Sequence, residues 1–332
     1  MEYFITGATG FIGGHIARRV LDDGHEVVVL ARTPSKAGDL EALGATVVEG
    51  DITNKDTLRE PMDGVDGVFH VAGWYDIGST DPTMGERINV DGTRNVLEVM
   101  DALDVPKGVY TSTLAVNSDT RGTVVDEDYN YAGPHLTTYD RTKWEAHYEV
   151  ARPMAEAGLP LVTVLPGLVY GPGDTSIFGD ALREYLCGNL PMIPRGVAYS
   201  PGHVEDIASA HVLAMDSGTP GEEYIIGGEP TTLVDLFAIV AEIAGRNPPR
   251  SVSPVLFGAL ARIAAGLERV VTLPTDFRSE RLRVLAGVTY LGDNQKAKSE
   301  LGLEHRPLKR GLEETVVHAQ RQLSSERHPD TP

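Results

Sequence analysis

The stretch FITGATGFIGGHIA, residues 4–17, runs from an apolar segment through a glycine cluster into the start of an amphipathic pattern. Read as strand, turn and helix, it sets Gly7, Gly10 and Gly13 at GxxGxxG spacing. Each glycine has its own physical task. Gly7 allows a tight turn, Gly10 lets backbone N–H groups approach a pyrophosphate, and Gly13 lets the helix sit close on the strand. The helix N-terminus then stabilises the anion. A glycine triplet alone is a weak sign, since a turn with no ligand can be spelled the same way. The strand–turn–helix setting makes it a dinucleotide site.

Working outward, short apolar runs alternate with helical patterns. Strands are expected at YFIT (3–6), EVVVLA (26–31), ATVVEG (45–50), GVFHVA (67–72), GVYTST (108–113) and LVTVLP (161–166). Amphipathic segments such as DGTRNVLEVMDAL lie between them. β-Branched runs alternating with such helices predict an α/β fold with a doubly wound parallel sheet covered on both faces. Past about residue 170 Gly and Pro become frequent and the rhythm breaks. We therefore expect a Rossmann domain over 1–171, completed by about 203–228, where EEYIIGG (222–228) rejoins the sheet. A smaller, mostly helical lobe takes 172–202 and 229–323, with a flexible tail over 324–332. LFGALARIAAGLERV (256–270) carries Arg262, Glu268 and Arg269 and reads as a helix packed over a cleft rather than a membrane binder.

The 332 residues carry a formal net charge of −19, which argues against nucleic acid or an anionic membrane as partner. Of 29 basic residues, 22 are Arg and 7 Lys. An acidic, lysine-poor surface suits concentrated salt, where self-repulsion is screened. Cys187 is the single cysteine, so no intrachain disulfide forms. His203 and His211 lie eight apart without a zinc signature, and no metal is expected. With no leader pattern and no long apolar run, the chain reads as a soluble cytoplasmic protein.

Two further features carry chemistry. The second strand ends VVVLARTPSK, with Arg32 where an NAD site usually has Asp or Glu, and Lys36 a turn later. A guanidinium there suits the 2′-phosphate of NADP, with NAD as the alternative. In TTYDRTKWEAH (137–147), Tyr139 and Lys143 fall on one helix face, about one turn apart. A surface pair would look the same; so would a proton donor whose pKa is pulled down by a neighbouring cation.

With TGATGFIG at 6–13 and YDRTK at 139–143, the sequence resembles the extended short-chain dehydrogenase/reductase family, within the NAD-dependent epimerase/dehydratase superfamily. GVFHVAG, VYTSTLAVN and Arg32 resemble its dihydroflavonol-reductase-like branch. The likeness extends to about residue 320. It implies cofactor contacts from Gly7, Thr9, Gly10, Phe11, Ile12, Gly13 and Arg32. It also implies contacts from Asp51 and Ile52 beside the adenine, and from Val71, Ala72 and Gly73 at a strand end under the cofactor. Pro166 and Val169 would lie along the nicotinamide. Tyr139 becomes the proton donor or acceptor, and Lys143 its tuning cation and a hold on the ribose. Thr113 becomes the hydroxyl that bonds the substrate oxygen, with Ser112 in reserve, since strand neighbours face opposite sides. Asn89 matches the family's helix asparagine, as a backbone tie or a proton relay. Family members often pair through helices on one side of the sheet, which makes a homodimer one expectation.

The resemblance implies hydride transfer between NADPH and a ketone or aldehyde, or the corresponding alcohol. A dehydratase would show an Asp-Glu pair after the catalytic Thr, where this chain has Leu114-Ala115. A nucleoside-diphosphate-sugar epimerase with tightly held NAD would need diphosphate donors, for which Arg183, Arg195, Arg278, Arg281 and Arg283 are available. A redox sensor without catalysis would typically lack the Tyr/Lys pair.

Overall fold

The computed structural model describes residues 1–79 and 81–327. Seven strands make the central sheet: β1 (Glu2–Thr6), β2 (Glu26–Ala31), β3 (Thr46–Glu49), β4 (Gly67–His70), β5 (Gly108–Thr111), β6 (Leu161–Leu165) and β7 (Glu223–Ile225). All pair in parallel, in the order β7-β6-β5-β4-β1-β2-β3. The winding reverses between β1 and β4, which opens a crevice at the carboxyl edge of the sheet.

The strands are apolar throughout because both faces are covered. Ile5 and Val29 bury one face with Ile16 of helix α1 (Phe11–Asp22) and with Ile207 and Ala210 of the helix Val204–Ser217. Phe4 and Val28 point the opposite way, onto Val96, Leu97 and Met100 of the helix Thr93–Ala102. A single residue's step along β1 therefore serves two cores.

The second lobe has its own core, in which Phe178, Tyr185, Leu236, Phe237, Leu312 and Val316 come together. It joins helices Ile177–Cys187, Leu233–Ala244 and Leu308–Arg327 to small sheets built on Ala198–Tyr199 and Met192–Pro194. The helix Pro254–Leu267 buries Ala261 and Ala264 on Leu282, with Phe257 partly buried beside them, and leaves Val255 and Ile263 exposed. The expected tail begins later than residue 324, because the last helix continues to Arg327; residues 328–332 lie outside the described residues. No helix among the described residues is long and apolar enough to cross a membrane.

Candidate active site at the carboxyl edge of the sheet

The glycine turn follows β1. Gly7 has φ +77°, a left-handed conformation, and a Cβ there would stand 2.6 Å from the Ala72 nitrogen. A Cβ at Gly13 would collide with the Gly7 carbonyl oxygen. These two glycines set how tightly β1, α1 and the end of β4 converge. Gly10 differs: it is exposed, its N–H donates to the Gly7 carbonyl at 2.9 Å, and it precedes α1 without a capping side chain. The N–H groups of the first turn, from Phe11 to Gly13, are left to a ligand. Thr9 is exposed beside them. Such a cradle fits a dinucleotide pyrophosphate.

The other expected cofactor contacts follow the remaining strand ends. Arg32 lies just past β2, exposed, and neither it nor Lys36 joins an ion pair among the described residues. Past β3, Asp51 accepts the Thr53 N–H at 2.9 Å, while Ile52 is buried against Gly92. Val71 and Ala72 are half-buried after β4, and Gly73 is exposed. After β6, Pro166 is buried with its carbonyl accepting the Leu114 N–H at 2.9 Å, and Val169 is half-buried in the strand Leu168–Tyr170.

Tyr139 and Lys143 ride the helix Thr138–Trp144, whose first turn is capped by the Thr137 hydroxyl accepting the Asp140 N–H at 3.0 Å. Strand β5 ends two residues before Thr113, which stays extended and starts the short turn Leu114–Asn117. Its hydroxyl accepts the Ala115 N–H at 3.2 Å and lies beside the Tyr139 phenol, where it favours the ionised form. Ser112 faces elsewhere: its hydroxyl bonds His147 Nδ1 at 2.8 Å and is buried. The structure thus brings Thr113, not Ser112, to Tyr139.

On one point it departs from expectation. Tyr139 was expected to have a depressed pKa, with Lys143 as the cause. Burial instead pushes the phenol well up, with Thr113 holding it down in part and Asp140 adding to the rise. The Lys143 ammonium is turned toward β5, donating to Tyr110 Oη at 3.1 Å and the Thr111 carbonyl at 2.8 Å. Burial pulls its pKa down to about 7. Burial is the largest cause of both shifts.

Beneath Lys143 lies a polar layer absent from the sequence reading. His70 is stacked near Tyr110 and bonds the Thr6 hydroxyl at 2.8 Å and the Thr93 hydroxyl at 3.0 Å. Burial brings its pKa down to about 3, so it stays neutral. His147 had a legible signal: Tyr139, Lys143 and His147 recur every four residues on one helix face. Asn89 is buried and fully engaged, accepting the Trp74 N–H at 2.7 Å and donating to the Trp74 carbonyl and the Thr142 hydroxyl. Those bonds make it a tie between backbone segments.

His203, Glu205 and Glu314 also converge. Nδ1 of His203 accepts the Glu205 N–H at 3.3 Å, and Arg306 pairs with both carboxylates. This is an ion-pair cluster around Arg306, in which the buried His203 Nε2 has no hydrogen-bond partner and lies 3.6 Å from Glu314.

A family model, that of the NAD dependent epimerase/dehydratase family, matches residues 3–227. The chain belongs to that family. A protein of Synechocystis sp. that carries the provisional name dihydroflavonol 4-reductase is 31% identical over 95% of this chain and 93% of its own. Sterol demethylase protein B of Methylococcus capsulatus is 28% identical over 91% of this chain and 93% of its own. The solved structure of gox2253 superposes with a TM-score of 0.83 at 30% identity, covering 96% of this chain and 98% of that one. The family is built on a nicotinamide cofactor, in line with the cradle at Gly7–Gly13.

Proposed function

We propose that the protein is an NADPH-dependent reductase of a ketone or aldehyde on a medium-sized, largely apolar molecule. The observation that carries this reading is the wall around the phenol. Tyr139 packs with Ile77, Val284, Val288 and Tyr290, and Tyr75 meets its ring edge-on at 4.9 Å. An apolar wall with a few convergent hydroxyls selects an apolar substrate and orients one oxygen. The names of the relatives point the same way, toward a flavonoid-type and a sterol-type substrate.

When bound, the reduced nicotinamide supplies a hydride. The chain's own groups handle the proton. Tyr139, held neutral by burial, is in the form that protonates the substrate oxygen as negative charge develops there. The Thr113 hydroxyl donates to the same oxygen. Lys143, fixed to β5, supplies positive charge against the phenolate left behind. Arg32 and Lys36, exposed and free of ion pairs among the described residues, support a 2′-phosphate on the adenine ribose.

Four of the five arginines an epimerase could turn to a diphosphate have other partners, while Arg195 is exposed and its side chain has none among the described residues. Arg183 pairs with Glu326, and Arg281 with Asp276 and the Ile77 carbonyl. Arg278 donates to the Ser79 and Leu273 carbonyls, and Arg283 to Ser279. Their engagement favours the reductase reading.

The test is cofactor exchange on freshly purified protein, followed by a panel of apolar carbonyl compounds. Protein that arrives empty, prefers NADPH to NADH by about tenfold (about 1.4 kcal/mol) and loses that preference in Arg32→Ala supports the proposal. Protein loaded with NAD that does not exchange, and that turns over nucleotide sugars, overturns it.

A further inference from the structure

The glutamate at position 280 lies in the helix Ser279–Val284 of the second lobe, 142 residues beyond the catalytic helix in sequence, yet its carboxylate is built into that helix's start. Oε1 accepts the Thr138 N–H at 3.0 Å and the Thr138 hydroxyl at 2.9 Å. Oε2 accepts the Gly78 N–H at 3.1 Å. Thr138 opens the helix that carries Tyr139, while Gly78 lies three residues past Tyr75 in the loop after β4. One carboxylate therefore ties the Tyr75 loop to the Tyr139 helix, and it forms no ion pair among the described residues.

Its neighbours reinforce the grip. Arg278 donates to the Ser79 carbonyl at 2.9 Å and Arg281 to the Ile77 carbonyl at 3.1 Å, on the same loop. Tyr290, further along the lobe, donates to Asp140 at 3.2 Å, directly after Tyr139. Asp140 is itself buried and accepts the Thr137 hydroxyl at 2.9 Å. A helix N-terminus normally draws its caps from adjacent residues. Here part of the cap comes from the second lobe.

We propose that Glu280 is a positioning residue that bridges the Gly78 loop and the first turn of the Tyr139 helix, so that seating of the second lobe sets the placement of the Tyr139 phenol against Tyr75. The catalytic part of this proposal rests on the reductase reading; the structural part does not. Removing the bridge leaves the glycine cradle untouched but frees the phenol to shift. A misplacement of that kind costs turnover rather than cofactor binding.

The test uses the full chain carrying Glu280→Ala, with Glu280→Gln as the milder variant. Gln retains one acceptor and presents an N–H₂ group to the other side, so it can serve only one of the two amides. Three quantities are read: hydrogen exchange at the Gly78 and Thr138 amides, the ring resonance of Tyr139 in tyrosine-labelled protein (assigned with Tyr139→Phe), and steady-state kinetics with NADPH and a carbonyl from the panel. In Glu280→Ala both amides should exchange faster and the Tyr139 resonance should move. Its kcat should fall roughly ten- to hundredfold while NADPH affinity stays within about twofold. Glu280→Gln should free one amide and lose less turnover. Unchanged exchange and an unmoved Tyr139 resonance overturn the proposal, as does parental kcat with both amides freed. If the parent reduces no carbonyl, the reductase reading fails, and exchange with the Tyr139 resonance still decides the bridge.

Discussion

The two halves of the candidate site are built by different rules. On the Rossmann side the backbone does the positioning: Gly7 and Gly13 stand where a side chain has no room, and α1 starts without a cap. Residues there follow strand ends at spacings that the fold imposes. On the lobe side, Tyr290 and Glu280 act through side chains reaching across long stretches of sequence. The first kind of site tolerates almost no substitution and names the cofactor class. The second can be rewritten residue by residue.

The largest effect should come where the halves meet. Tyr139→Phe should lower kcat by about 10²–10⁴-fold, the usual contribution of a positioned proton donor, while leaving NADPH affinity nearly intact. Turnover close to the parent's in that variant would dissolve the proton-transfer role and with it the contrast between the halves. The next effect belongs to the backbone-built half alone. Gly13→Ala adds a methyl group against the Gly7 carbonyl, and overpacking of this kind costs about 1–3 kcal/mol. Thermal unfolding should report the loss of stability, and NADPH titration a weakened site. A variant with unchanged affinity and melting temperature would show that α1 can move away from β1 at no cost.

What the sequence made legible follows the same division. All seven central strands and the glycine turn could be read because parallel strands buried on both faces spell continuous apolar runs and because Gly7 has a positive φ. The family pattern already favours Thr113 over Ser112, and the chain's turn after β5, which ends at Thr111 before either of them, parts the two. The direction of the Tyr139 shift was misjudged because spacing shows a cation nearby but not the burial of both partners, nor that Lys143 turns to Tyr110 and Thr111. Glu280 had no signal at all. Its partners lie 142 and 202 residues away, and no periodicity links them.

A pH-dependent effect on stability should appear at the seam between the halves. Asp140 is buried, bonded by Thr137 from its own helix and by Tyr290 from the lobe. Burial pushes its pKa up to about 7, the two hydroxyls and Arg283 hold it down in part, and the charge of Glu280 raises it. An unfolded Asp titrates near 3.9. Between about pH 4 and about pH 7 the folded chain keeps this proton while the unfolded chain has released it. The stability that Asp140 contributes is therefore complete below about pH 4, is lost as pH rises to about 7, and changes no further above that, with a slope of at most about 1.4 kcal/mol per pH unit. Asp140→Asn has no proton to lose in this range. Denaturant unfolding of the two proteins across that range should give curves that diverge with rising pH, the parent losing ground to the variant until the gap levels off near neutrality. Curves that stay parallel would mean Asp140 ionises in the folded protein as freely as in water, and that the Tyr290 contact leaves the seam open to solvent.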